Sequence, residues 1–123
     1  MANPNIVNVS AIYGNVNSAS LTTTSATSLV SNAASSGQVL KIDSIVVANT
    51  TGSTANITIN VYSQASLGGT AYPIASSIAV PAYSTLIVTD KSTSFYVMEN
   101  MSVGATAGTA SALVATITWE QIS

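Results

Sequence analysis

The fold of this chain is decided by the stretch ANITINVYS, residues 55–63, in which apolar and polar residues alternate. Apolar side chains recur at every second position from Ala55 to Val61, and Tyr62 continues the polar face between them. Successive side chains of a β-strand point to opposite faces, so the pattern predicts a strand with one face on a core. The stretch LVATITWEQ, residues 113–121, repeats the pattern and places Trp119 on its apolar face.

Weaker or shorter alternation predicts strands along most of the remaining chain. The further predicted strands are 5–13, 20–30, 38–49, 72–80, 84–90, 93–98 and 101–107. Turn-forming pairs such as Gly14-Asn15 and Gly68-Gly69 separate them, and no segment has the 3.6-residue period of a helix. The sequence therefore predicts one all-β domain over residues 1–123, with a short N-terminal arm over about residues 1–9. Its architecture is a single antiparallel β-sandwich, either immunoglobulin-like or a jelly roll.

Charge is scarce, and this excludes several classes of partner. Six of the 123 residues are charged, the net charge is -2, and the basic residues are Lys41 and Lys91. A typical soluble domain is about a quarter charged. Two lysines cannot neutralise a phosphate backbone or an anionic membrane surface, so we expect neither nucleic acid nor a membrane as partner. The longest apolar runs are four residues, such as 45–48, far short of the roughly 18 that span a bilayer.

The composition also leaves few means of catalysis. Without His or Cys, the usual general base, the thiol nucleophile and the usual zinc ligands are all missing. Asp43 lies two residues from Lys41 and Asp90 precedes Lys91, which indicates surface pairing rather than an acidic active site. We therefore expect no enzyme, no cofactor and no metal site.

The low charge favours a role in an assembly. A net charge near zero promotes association, so the chain is predicted to be covered by neighbours in a larger assembly. The alternative is a small β-domain kept soluble by Ser, Thr and Asn. Tyr62, on the polar face of its strand, and Tyr72, after the Gly68-Gly69 turn, are predicted to be exposed. Tyr is enriched at interfaces, although scattered surface tyrosines remain the alternative.

Particular segments resemble a known group of proteins. The opening MANPNIVNVSAIYG, residues 1–14, resembles the N-terminus of small virion structural proteins of marine tailed phages, especially phages of cyanobacteria. The strand, turn and strand of residues 80–99 and the ending WEQIS, residues 119–123, are similar in layout. The chain departs from that group at Asn100-Met101, where Gly-Asp is usual. Because Asn tolerates a left-handed backbone, we expect the turn to be retained.

The resemblance implies a non-enzymatic β-sandwich present in many copies on a virion that is assembled in the host cytoplasm. Its partners would be the major capsid protein or a tail component. The favoured hypothesis is a capsid decoration or cement protein that acts as a small homo-oligomer, such as a trimer. The alternative is a tail or fibre module that binds a host receptor or glycan. Chain termini are usually poorly ordered unless they dock on something, so the N-terminal arm is a candidate contact. Segments 5–13 and 20–30 are candidate edges at which a strand could be added to a partner sheet. The predicted partner-binding residues are Asn3, Pro4, Asn5, Ile6, Tyr62 and Tyr72.

Overall fold

A computed structural model of the chain describes residues 4–123. These residues form nine β-strands and one 3-10 turn, Lys91–Thr93, between the sixth and seventh strands. The strands are β1 (Ile12–Leu21), β2 (Thr27–Asn32), β3 (Val39–Asn49), β4 (Ala55–Gln64), β5 (Gly68–Val80), β6 (Thr85–Thr89), β7 (Phe95–Val97), β8 (Met101–Ala107) and β9 (Leu113–Ile122).

The strands form two antiparallel sheets that pack face to face. Sheet A has the order β1-β9-β3-β6, and β7 also pairs with β3; sheet B has the order β2-β8-β4-β5. Strands β6 and β7 pair with different parts of β3, so together they occupy the place of a single strand next to β3 in sheet A. The first four strands then pair with the last strands in reverse order. This nested pairing is a jelly roll, so the predicted β-sandwich is confirmed and the jelly-roll alternative is the one adopted.

The core lies between the sheets and consists of aliphatic side chains. Ile57, Ile59 and Ile117 are fully buried in it, on the faces that the alternation predicts. Burying a side chain of this size stabilises the fold by about 1.5–3 kcal/mol. Small residues such as Ala115 share the core, and Trp119 packs against it half-buried. Apolar packing between these side chains therefore holds the sheets together.

The predictions for the N-terminal strands are wrong in their bounds. Residues 4–11 form no strand, whereas 5–13 was expected to be one, and β1 begins at Ile12. The expected turn at Gly14-Asn15 lies inside β1, because these residues pair with Glu120 and Trp119 of β9. The expected strand 20–30 is divided by residues 22–26 into the end of β1 and the start of β2. Both β1 and β2 are nevertheless edge strands.

The turn before β8 agrees with its prediction. Asn100 has a φ of 59°, which is the left-handed conformation that Asn tolerates better than most residues. Its side-chain Oδ1 accepts a hydrogen bond from the backbone N–H of Ala65 at 3.2 Å. The turn is therefore retained, and Asn100 also ties the β4–β5 loop to the start of β8.

Candidate interaction surface

The N-terminal arm folds back on its own domain through a tight turn. Asn5 Oδ1 accepts a hydrogen bond from the N–H of Val7 at 3.0 Å, and the Asn5 carbonyl accepts one from the N–H of Asn8 at 3.1 Å. An Asn that caps its own turn is a common feature of loops. The turn leaves Val7 at its tip with 92% of its surface exposed. Asn5 therefore shapes the arm, while Asn3 lies outside the described residues.

Pro4 and Ile6 of the arm meet the outer face of sheet A. Alternation along β3 points Leu40 into the core and Val39 to the outer face. Val39 pairs with Ile122 of β9, and both are buried although neither belongs to the core cluster. The outer face of sheet A thus carries a second, smaller apolar cluster beneath the arm.

A shallow apolar pocket of about 250 Å³ lies where the arm meets this sheet. Its lining residues are Pro4, Ile6, Val39, Tyr96 and Met98. Tyr96 and Met98 flank the buried Val97 and point outward, and each stays more than two-fifths exposed. The arm and the pocket together present a contiguous apolar surface, which is typical of an interaction site.

The prediction that Tyr62 is exposed is wrong, since only 9% of its surface is accessible. Its ring lies on the outer face of sheet B, beside Gly104 of β8. A Cβ atom added to Gly104 would lie 3.1 Å from Tyr62 Cε2 and 2.7 Å from Leu67 Cδ2. Tyr62 and Leu67 therefore share the space above Gly104, and the β4–β5 loop that carries Leu67 covers the tyrosine.

Hydrogen bonds hold this loop over the outer face of sheet B. Ser102 Oγ accepts a bond from the N–H of Leu67 at 2.9 Å and donates one to the Gln64 carbonyl at 2.8 Å. Ser102 is fully buried, and its hydroxyl is satisfied by Leu67 of the loop and by Gln64 at the end of β4. Tyr62 is consequently a packing residue and is not available to a partner.

Tyr72 is exposed, as predicted. It lies on β5, the outer edge of sheet B, where it pairs with Val61 of β4. More than half of its surface is accessible, and Ile74 and Ile78 on the same strand are exposed as well. Because the arm lies on sheet A, the residues predicted from the sequence form two separate surfaces rather than one site.

Two exposed apolar residues of β1 escaped the sequence prediction. Ile12 and Val16 are 53% and 65% exposed and lie on the same face of the strand, with Gly14 between them. A Cβ added to Gly14 would meet no atom within 4 Å, so the face is open there. The spacing of two between these residues could have indicated a shared strand face. The sequence prediction missed it because it placed a turn at Gly14-Asn15.

The chain has few charged side chains, with two Lys and four Asp or Glu. Among residues 4–123, no three His, Cys, Asp or Glu residues are placed to hold a metal ion. Asp90 caps the 3-10 turn: its carboxylate accepts bonds from the Ser92 hydroxyl at 2.6 Å and the Ser92 N–H at 2.9 Å. These bonds favour the ionised carboxylate and lower the pKa of Asp90. The same described part of the chain has no helix long and apolar enough to cross a membrane.

The fold and the surface define a class: a jelly-roll domain with few charges and with several exposed apolar side chains on its arm and edge strands. No family model matches the sequence, and no curated protein matches it. Among solved structures, the chain is similar to one described as "Bacillus endospore appendages form a novel family of disulfide-linked pili". The TM-score is 0.54 at 19% identity, over 91% of this chain and 85% of that chain. At this identity the likeness is one of fold, and it agrees with the two-sheet sandwich.

Proposed function

We propose that this protein is a non-enzymatic structural subunit of a phage particle, a capsid decoration protein that binds neighbouring subunits through small, uncharged surface. The observation that carries the proposal is the exposed apolar surface of the arm, β1 and β5 on a chain with only six charges. Apolar patches that charge does not protect are removed from water by association. Repeated contacts in a symmetric shell provide such association for every copy.

A sequence resemblance and a similarity of fold each support one part of this role. The resemblance of residues 1–14 to small phage virion proteins favours a virion, assembled in the host cytoplasm. The similar solved structure belongs to work on pili, which supports the use of such a sandwich as a building block. That protein is described as disulfide-linked, whereas this chain contains no Cys. Contacts of this chain therefore depend on packing and hydrogen bonds.

The arm is the first candidate contact with the major capsid protein or a tail component. Val7 projects from the arm turn, and Tyr96 and Met98 border the adjoining pocket. Complete burial of an exposed side chain of this kind gains about 1.5–3 kcal/mol. A partner that covers these three residues gains nearly all of that at Val7 and less than half of it at Tyr96 and Met98, which are already more than half buried. The binding free energy from one such contact is modest, but the same contact recurs at every equivalent position of the particle.

Deletion of residues 1–9 tests this contact. We expect the deletion variant to fold, because the core cluster contains no residue of the arm, but to be missing from purified particles. The matched control is Ile87→Ser, which removes an exposed apolar side chain of β6 and should leave incorporation normal. Quantitative mass spectrometry of the particles gives the copy number: hundreds of copies support the capsid coat. Normal occupancy by the deletion variant would refute the role of the arm.

A tail or fibre module that binds a host receptor or glycan is the second candidate, and the exposure of Tyr72 favours it. An exposed Tyr ring offers an apolar face and a polar tip to a sugar or a protein. In this case Tyr72→Ala should abolish adsorption to the host and leave particle assembly intact. The copy number should also be low, from a few to a few dozen per particle. Tyr83→Ala, another exposed tyrosine, serves as the control.

A further inference from the structure

Strand β1 is a sheet edge without the features that protect such edges. Proteins block edge strands with charged residues, proline, bulges, short length or a covering segment. The ten residues of β1, IYGNVNSASL, include no charge and no proline. They pair with β9 in ten consecutive positions without a register shift. The free side of β1 is therefore a long and regular template for another strand.

The other edges of the sandwich are protected. Strand β2 has six residues and a register shift between Ser28 and Val30. Strand β5 contains Pro73 and three register shifts against β4. Strands β6 and β7 have five and three residues. Among the described residues, β1 is thus the edge that is best suited to pair.

The register fixes which backbone groups face the open side. Ala11 and Ser123 exchange two hydrogen bonds, of 3.1 and 3.0 Å, and hydrogen-bonded pairs alternate along an antiparallel ladder. The odd-numbered residues of β1 therefore turn their N–H and C=O groups toward β9. The even-numbered residues turn theirs outward, and these groups in the segment from Ile12 to Ser18 are free to bond with an added strand.

We propose that β1 pairs antiparallel with β1 of a second copy of this chain, about a twofold axis at Asn15. This register places Ile12 opposite Ser18 of the second copy and Gly14 opposite Val16 of the second copy. It engages the outward N–H and C=O groups of all four even-numbered residues from Ile12 to Ser18 on each strand. A twofold contact of this kind is self-complementary and closes as a dimer, rather than the trimer given as an example from the sequence.

Side-chain size supports the same register. Each exposed branched residue, Ile12 or Val16, meets a small one, Ser18 or Gly14, and the open space at Gly14 receives Val16 of the second copy. A register centred on Gly14 leaves Ser18 unpaired and sets glycine against glycine. No charged side chain belongs to either strand, so no like charges are brought together.

Cysteine cross-linking tests the register directly, because the chain has no Cys of its own. Two Asn15 residues form a non-hydrogen-bonded pair with Cα atoms about 4.5 Å apart, within the span of a disulfide. Asn15→Cys should therefore form a covalent dimer under mild oxidation. Tyr13→Cys, the control, lies opposite residue 17 and should form no covalent dimer. Cross-linking through Gly14→Cys in preference to Asn15→Cys would overturn the register.

Light scattering on the full-length chain tests the pairing itself. We expect a dimer whose dissociation constant rises about tenfold or more in Val16→Lys, because charges on facing edges repel. Ile87→Lys, an equally exposed residue on β6, should leave the dimer unchanged. The inference rests on the proposed structural role but fails separately from it. A chain that is monomeric at every concentration overturns the β1 pairing, whereas particle occupancy decides the structural role.

Discussion

Replacing Gly104 with Ala tests whether the β4–β5 loop is packed down on sheet B. The added Cβ atom would lie 2.7 Å from Leu67 Cδ2, 3.1 Å from Tyr62 Cε2 and 3.2 Å from the Thr27 carbonyl oxygen. The end of the leucine side chain can move aside. The tyrosine ring and the backbone oxygen have less freedom, because β4 and β2 fix their positions on either side of β8.

The expected loss follows from the difference of two effects. Overpacking of this kind costs about 1–3 kcal/mol. Ala at a compatible position restricts the unfolded chain and returns about 0.4–1 kcal/mol. The midpoints of these two ranges differ by about 1.3 kcal/mol, so Gly104→Ala should lower the free energy of unfolding by about that amount.

Urea denaturation at a fixed protein concentration measures this change as a lower midpoint with an unchanged slope. Gly108→Ala is the matched control, since its Cβ would meet Asn56 at an ordinary 3.5 Å. Adding Leu67→Ala should relieve the clash, so the double variant should be more stable than the sum of the two single changes predicts. If Gly104→Ala equals or exceeds the parent in stability, the loop does not cover Tyr62 as described.

Two polar residues give further predictions. Asn49 is buried; its side chain donates hydrogen bonds to the carbonyls of Ser53 at 2.8 Å and Val80 at 3.0 Å, and accepts one from the N–H of Thr51. Asn49→Ala should therefore lower the free energy of unfolding, measured by urea denaturation, by about 2–4 kcal/mol. A loss below about 1 kcal/mol would contradict this network. The lowered pKa of Asp90 means that its carboxylate favours the folded state above the ordinary carboxyl pKa, and that this contribution disappears as the pH falls through the folded-state value. The urea midpoint of Asp90→Asn should thus lie below that of the parent at pH 5–7, with the gap closing below about pH 4; a gap that is independent of pH would refute the cap.

Much of the fold could be predicted because alternation reports directly on burial. Strand β8 has the predicted bounds, and β4 and β9 differ from theirs by a single residue. Strand β1 could not be placed, because Gly14 and Asn15 favour a turn locally while pairing with β9 overrides that preference. Information about a strand partner some hundred residues away is not contained in the local pattern.

The surface was less predictable than the core, for a related reason. Alternation placed Tyr62 on the correct face of β4, but a face outside the core is exposed only if no loop covers it. The loop at Leu67 covers Tyr62, and Pro4 and Ile6 lie over Val39 on the other sheet. Both covers depend on contacts between distant parts of the chain, which neither composition nor periodicity records.

The most direct test of the structural role is electron cryo-microscopy of particles purified from a culture that produces this protein. The proposal predicts jelly-roll density of this size at repeated positions on the particle surface, with the arm against a neighbouring subunit. Particles that lack the protein, with the chain recovered entirely in the non-particulate fraction, would contradict it.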